Sequence, residues 1–88
     1  MKKIVFDVES DGFVNEATKA WCISTYDIMN KTSVTFSDND SSCPSISEGL
    51  KYIAKADELI GHNIIMYDIP LLEKLFNFKT DARFVDTF

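Results

Sequence analysis

The stretch Asp7-Val8-Glu9-Ser10-Asp11-Gly12 (DVESDG) determines how the beginning of this chain folds and what it can bind. It places acidic side chains at every second position and ends on a glycine. Two kinds of site begin in this way: the calcium-binding loop of an EF-hand, and a β-strand that directs carboxylates towards a catalytic metal. The residues around the stretch separate these two interpretations.

The EF-hand interpretation fails on two counts. An EF-hand loop needs a bidentate Glu at its twelfth position. Counted from Asp7, that position is Thr18, which has no carboxylate to offer. The loop should also follow a helix, whereas the preceding Lys3-Ile4-Val5-Phe6 has the character of a strand.

A strand over residues 3–8 places Asp7 and Glu9 on one face, with Val8 buried behind them, because alternate side chains share a face. Two carboxylates this close repel each other unless they are protonated or bridged by cations. Hard oxygen ligands suit Mg²⁺ or Mn²⁺. A strand that runs out into a solvated acidic turn has the same pattern, so these residues alone leave both interpretations open.

The other segments predict a mixed α/β sheet. Further strands are expected at residues 20–28, 32–36, 58–61 and 83–86. Helices are expected from the capping pair Ser45 and Glu48 to about Ala56, and over Asp68–Phe76, with Pro70 tolerated in the first turn. The short link between the second and third strands implies an antiparallel hairpin. The helices between the later strands imply parallel pairing, with ligands at the carboxyl ends of the central strands.

Composition limits the function classes. The 88 residues, 45% of them hydrophobic, predict a single globular domain over residues 1–88. A net charge of −5 argues against a protein that coats nucleic acid through a broad basic surface. No apolar run has membrane-spanning length. Cys22 and Cys43 have no metal-type spacing with each other or with His62, which predicts free thiols in a cytoplasmic protein.

A second motif, His62-Asn63-Ile64-Ile65-Met66-Tyr67-Asp68-Ile69-Pro70 (HNIIMYDIP), follows the predicted fourth strand and opens a helix. With Asp-x-Glu about sixty residues upstream, the chain resembles the 3′–5′ exonucleases of the DEDD superfamily, which share an RNase H-like fold. Among these it is most similar to the proofreading domain of phage family A DNA polymerases. These two motifs and the strand-end Val85-Asp86-Thr87, in that order, carry the resemblance over essentially the whole chain.

The resemblance assigns roles to individual residues. Asp7 and Glu9 match the first motif, and Asp68 matches the aspartate of the second, so these three are the expected catalytic metal ligands. A second group matches positions that contact the substrate: Gly12, Phe13, Asn63 and Tyr67. Two further residues are possible members of the site, namely His62 and Asp86, the latter from the strand-end Val85-Asp86-Thr87.

Each assignment has a rival that needs no substrate. Asp68 could cap its own helix, where a carboxylate favours the positive end of the helix dipole. His62 could be a strand-end hydrogen-bonding residue, and Asn63 could satisfy loop backbone. Phe13 is either a core residue or a stacking surface for the terminal base. Asp86 is expected to be structural rather than a metal ligand.

The implied reaction is two-metal phosphodiester hydrolysis, with two Mg²⁺ or Mn²⁺ ions held by Asp7, Glu9 and Asp68. The implied substrate is the 3′ end of single-stranded DNA, and the product is a nucleoside 5′-monophosphate. The chain would belong to a DNA polymerase, or work beside one, in the cytoplasm of a bacterial cell or a phage-infected host. The family's strand order is third, second, first, fourth, fifth.

The family's third motif, a Tyr or His followed by a fourth catalytic Asp, does not occur before Phe88. The expectation is therefore a C-terminally truncated, partial exonuclease domain that is feebly active by itself and leaves an apolar sheet face uncovered. It could be the start of a longer polymerase, a piece of a split enzyme or a degenerate remnant. The alternative function is a non-catalytic module that binds nucleic-acid ends or a protein partner. The choice between DNA and RNA stays open.

Overall fold

The computed structural model describes all 88 residues and contains one five-stranded sheet flanked by two α-helices. The elements in chain order are β1 (Lys3–Ser10), β2 (Ala20–Asp27), β3 (Thr32–Phe36), α1 (Ile46–Ala54), β4 (Glu58–Gly61), a π-helical turn (Ile64–Asp68), α2 (Ile69–Phe76) and β5 (Arg83–Asp86). Neither helix has the length and apolar character needed to cross a membrane.

The strand order is β3-β2-β1-β4-β5, with β1 at the centre, as predicted. β1 pairs antiparallel with β2 and parallel with β4, and β2 pairs antiparallel with β3. β2 is therefore the one strand that runs against the other four. Asp27 closes the predicted β2–β3 hairpin by accepting the backbone N–H groups of Met29 and Asn30.

The two faces of the sheet differ because side chains alternate along each strand. On the inner face, Ile4, Phe6 and Val8 of β1 are buried in one core cluster with side chains from both helices, including Ile53 and Leu72. No residue on the other face, which we call the open face, is buried, and neither helix covers it.

An apolar row crosses the open face. Strand register places Tyr26, Val5, Ile60 and Val85 side by side on β2, β1, β4 and β5. The three aliphatic residues are half-buried and Tyr26 is exposed. The open face thus carries one apolar row among polar and charged neighbours, and neither helix covers it.

β1 and β4 separate early. Their pairing ends at Val5 and Ile60, and the next residue of β4 is Gly61. A Cβ atom at Gly61 would lie 2.8 Å from the carbonyl oxygen of Phe6 and 2.5 Å from Cγ2 of Ile64. Only a residue without a side chain fits there, because the backbone of β1 and the following turn close in on it.

Four element boundaries differ from the sequence prediction. β2 ends at Asp27 rather than at residue 28. β1 is longer than residues 3–8, because Glu9 and Ser10 still pair with β2 across a bulge. α1 ends at Ala54 rather than Ala56. The expected start of the second helix at Asp68 is replaced by the π-helical turn, in which the Ile69 N–H bonds to the Ile64 carbonyl. Pro70 has no N–H, which removes one bond that would otherwise hold this segment in α-helical register.

Gly61→Ala should destabilise the protein by about 1–3 kcal/mol, because the added methyl group meets backbone and a buried side chain rather than a flexible surface. Urea denaturation measures this loss. Gly12→Ala is the matched control, since its Cβ would make contacts of 3.5 Å or more, and it should change the free energy of unfolding by less than about 0.5 kcal/mol. Equal effects of the two substitutions would contradict the packing described for Gly61.

Candidate active site at the carboxyl ends of β1 and β4

The first motif lies at the carboxyl end of the central strand. Asp7 and Glu9 are exposed on the open face, and Val8 between them is buried on the inner face. A shallow hollow of about 220 Å³ lies beside Asp7 and is lined in part by Val5, Ser24 and Tyr26. The carboxylates therefore lie on one accessible surface, as the alternation of the strand predicts.

The second-motif aspartate reaches β1 from the π-helical turn. Asp68 is only 2% exposed, and its Oδ2 accepts the backbone N–H of Val8 at 2.9 Å. This N–H lies beyond the point where β4 stops pairing with β1, so the carboxylate takes the place of a strand partner. Asp68 makes no side-chain capping bond to α2. The helix-cap interpretation of Asp68 is therefore wrong, because the carboxylate bonds to β1 instead.

Burial raises the pKa of Asp68 to about 6, because desolvation disfavours the charged carboxylate. The Val8 N–H acts in the opposite direction, and the negative charges of Asp7 and Asp86 are smaller contributions to the same increase in pKa. The charge of Asp7 is therefore felt at Asp68. The two motifs, far apart in sequence, meet electrostatically at one edge of the sheet.

A hydroxyl network ties the π-helical turn to the loop after β1. The Tyr67 hydroxyl lies 2.8 Å from Ser10 Oγ, to which it can donate, and 3.3 Å from the Gly12 carbonyl oxygen. The Ser10 hydroxyl donates to the same carbonyl at 2.6 Å. Sequence reasoning missed Ser10, since nothing in its immediate neighbours indicates a partner 57 residues away.

The loop after β1 is held at both ends. Asp11 accepts N–H groups from Thr18 and Lys19 and the Thr18 hydroxyl. The side-chain bond from Thr18 is the main reason that the pKa of Asp11 falls to about 2. Phe13 at the tip is 73% exposed. The core interpretation of Phe13 is therefore wrong, because most of its surface is open to solvent.

Asn63 and His62 lie at the start of the turn. Asn63 has φ 60°, in the left-handed region, and its side chain makes no hydrogen bond within the protein. His62 is exposed, with Nδ1 3.4 Å from Thr87 Oγ1 and its ring edge-on to Phe88. The free amide of Asn63 is therefore available to a ligand, whereas the His62 ring packs against the chain after β5.

Asp86 is fully engaged with backbone. Its Oδ1 accepts the N–H groups of Asn63 and Phe88 at 2.8 and 2.9 Å, and its Oδ2 accepts that of Ile65 at 3.0 Å. The bond from Ile65 is the largest of the effects that lower its pKa. Asp86 is thus an anion held by three donors, which agrees with the structural interpretation of this residue.

The chain has no group of three or more His, Cys, Asp or Glu side chains arranged to hold a metal ion. The chemistry of the site still fits a hard divalent cation. Asp7 and Asp68 supply carboxylate oxygens whose mutual repulsion a cation would relieve. The side chain of Glu9 is exposed on the same face as Asp7 and makes no hydrogen bond or ion pair within the protein. A separate groove of about 390 Å³, between the end of α2 and β5, contains none of these carboxylates.

Asp68→Asn should stabilise the protein at pH 8 by about 1–3 kcal/mol. The amide keeps an acceptor for the Val8 N–H but removes a buried charge. Because the folded pKa of Asp68 is above its unfolded value, its ionisation costs stability above about pH 6. That cost disappears as the pH falls from about 6 to about 4. Urea denaturation at pH 8 and pH 4 should therefore show a gain only at pH 8.

Asp81→Asn is the control for this prediction, since Asp81 is exposed and makes no hydrogen bond. It should shift the free energy of unfolding by less than about 0.5 kcal/mol at either pH. A less stable Asp68→Asn variant at pH 8 would mean that the carboxylate is held by interactions that outweigh its burial.

Three comparisons with known proteins bear on this fold and site. A family profile described as RNase_H superfamily matches residues 4–88. A search of curated protein sequences found no match. Among solved structures, the family B DNA polymerase from the hyperthermophilic archaeon Pyrobaculum calidifontis matches 84% of this chain with a TM-score of 0.62 and 13% identity.

The matched region is 10% of that polymerase chain, so this chain spans about a tenth of its length. At 13% identity the likeness shows the fold alone. The profile, in contrast, covers nearly every residue, including both acidic motifs and β5. The chain therefore belongs to the RNase H superfamily.

Proposed function

We propose that this chain is a partial exonuclease domain of the DEDD type, similar to those of phage family A DNA polymerases. It would hydrolyse phosphodiester bonds at DNA 3′ ends and release nucleoside 5′-monophosphates. The observation that carries the proposal is the meeting of Asp7 and Asp68 at the carboxyl end of the central strand, through the bond to Val8. Membership of the RNase H superfamily supports it.

Asp7, Glu9 and Asp68 would hold Mg²⁺ or Mn²⁺. When bound, two such ions activate water and stabilise charge on the phosphoryl group and the leaving oxygen. The three acidic residues would contribute the position of the ligands and their negative charge. Asp7 and Glu9 present accessible carboxylates on the open face, and the Asp68 carboxylate is held in place by the hydrogen bond from the Val8 N–H. Since the pKa of Asp68 is about 6, it is ionised and able to bind a cation above neutral pH.

The substrate groups surround these acids. Phe13 offers an exposed ring on which a terminal base can stack, a contact that tolerates any base. Asn63 offers an uncommitted amide. The hydroxyl of Tyr67 is already bonded to Ser10 and Gly12, so its role in this proposal is to hold the Phe13 loop in place.

The proposed partners are a single-stranded DNA 3′ end and a DNA polymerase domain or other protein segment. The net charge of −5 gives no broad surface for duplex DNA, so a grip on a few nucleotides through cations and stacking fits the chain better.

A second candidate function is a module that binds nucleic-acid ends without cutting them. It is favoured by the arrangement of the acids, since no three His, Cys, Asp or Glu side chains are grouped to hold a metal ion. The two candidates share the same site and differ in turnover.

Asp7→Asn should weaken Mn²⁺ binding by about tenfold or more, because one oxygen ligand and its negative charge are both lost. Isothermal titration calorimetry at pH 8 measures the dissociation constant. Asp81→Asn removes the same charge from an exposed residue outside the site and should leave binding as in the wild type. Equal affinity in the wild type and the Asp7→Asn variant would remove Asp7 from the metal site.

The 88-residue chain should degrade single-stranded DNA only feebly with Mg²⁺. Three carboxylates leave one ion without a full ligand set, and positioning with charge stabilisation carries most of the rate in phosphoryl chemistry. The assay follows a 5′-labelled oligonucleotide, so stepwise shortening from the 3′ end is seen directly. Asp7→Ala should abolish any residual shortening.

Binding of the oligonucleotide with no Asp7-dependent shortening would favour the binding module. Robust shortening that depends on Asp7 would instead show that three carboxylates are sufficient or that another residue supplies the fourth.

A further inference from the structure

The π-helical turn that carries Tyr67 and Asp68 does not cap itself. Its first flanking residue, Asn63, has a left-handed backbone conformation and makes no capping bond with its side chain. Capping groups matter here because the first N–H groups of any helical segment lack partners within it. In this protein the partner is Asp86, 23 residues further along the chain, which accepts the N–H groups of Asn63 and Ile65 on its two oxygens.

β5 delivers this cap by register. Gly61 pairs with Asp86 in the parallel β4–β5 ladder, and the Thr87 N–H continues the pairing to the Gly61 carbonyl at 2.9 Å. Asp86 therefore lies beside the residue at which β4 ends and the turn begins. Because the Asp86 carboxylate is charged, its hydrogen bonds to the two N–H groups of the turn are stronger than those of a neutral side chain would be.

The turn is fixed at its other end by β1. Asp68 bonds to the Val8 N–H, and Tyr67 bonds to Ser10. Asp86 and β1 thus hold opposite ends of a segment only five residues long.

We propose that Asp86 is a positioning residue of the site: it caps the π-helical turn from β5 and thereby keeps Asp68 and Tyr67 against β1. Its consequence for metal binding rests on the function proposed above. Three backbone N–H groups, those of Asn63, Ile65 and Phe88, already bond to its two oxygens, so the role we assign to Asp86 is to position the turn rather than to bind metal.

Amide hydrogen exchange tests the positional part without any metal. Asp86→Ala should speed exchange at Asn63 and Ile65 by about tenfold or more, since a charge-assisted acceptor is lost. The decisive reporter is the Val8 amide, whose acceptor is Asp68 and not Asp86. Its exchange should also accelerate, while the amide of Ile53 in α1 stays as in the wild type and reports that the protein is folded.

Asp86→Asn is the conservative variant. It tests the role of Asp86 if the Asp86→Ala variant does not fold. An amide has one acceptor oxygen, so it keeps one of the two turn bonds. Exchange should then accelerate at only one of Asn63 and Ile65, and the Val8 amide should return towards the wild-type rate. Asp81→Ala, which removes an exposed carboxylate, should change none of these rates.

Mn²⁺ affinity tests the consequence for the site. Removal of a residue that orients a ligand weakens metal binding by about tenfold or more, so Asp86→Ala should raise the dissociation constant by that factor and Asp86→Asn by less. Faster exchange at Asn63 and Ile65 with unchanged Val8 exchange would overturn the proposal and leave Asp86 a local cap. Failure of the wild type to bind Mn²⁺ would overturn the proposed function, and Val8 exchange would still decide the role of Asp86.

Discussion

The hydrogen bond from the Val8 N–H to the buried carboxylate of Asp68 joins the two halves of this structure. β4 stops pairing with β1 after Val5, because Gly61 brings the chain close over Phe6 and turns it away. The edge of β1 beyond that point needs an acceptor, since an unpaired buried N–H is costly. Asp68 supplies it and so fixes where the second motif lies relative to the first.

Burial of Asp68 makes its ionised form costly, although the bond from Val8 itself favours the charged carboxylate. A carboxylate that is nearly inaccessible to water, near the charge of Asp7, is disfavoured in its ionised form, and its pKa rises to about 6. Buried carboxylates with a shifted pKa are common at functional sites. In the proposed exonuclease, cations would relieve the repulsion, so the residue that costs stability in the free protein is the residue that binds the ligand. Under this proposal, structural support and metal binding would meet in one side chain.

The sequence predicted the parts of the fold that depend on local pattern. Alternation placed Asp7 and Glu9 opposite Val8, and the position of β1 at the centre followed from the resemblance to the exonucleases. The roles that need partners distant in the chain were not predicted. Ser10 bonds to Tyr67, and Asp86 caps a turn 23 residues earlier, neither of which any local periodicity indicates.

The π-helical turn was missed for a related reason, since the two motif residues at its end suggested an ordinary helix start. Roles in metal and substrate binding remain predictions for every residue of the site. A carboxyl ¹³C NMR titration of Asp68, with and without Mg²⁺, tests the central claim most directly. We expect a midpoint of about pH 6 without the ion and a lower midpoint with it, because a bound cation favours the charged form. A midpoint near the ordinary value of 3.8 that Mg²⁺ does not move would contradict the account. It would mean that the carboxylate is solvated and detached from Val8.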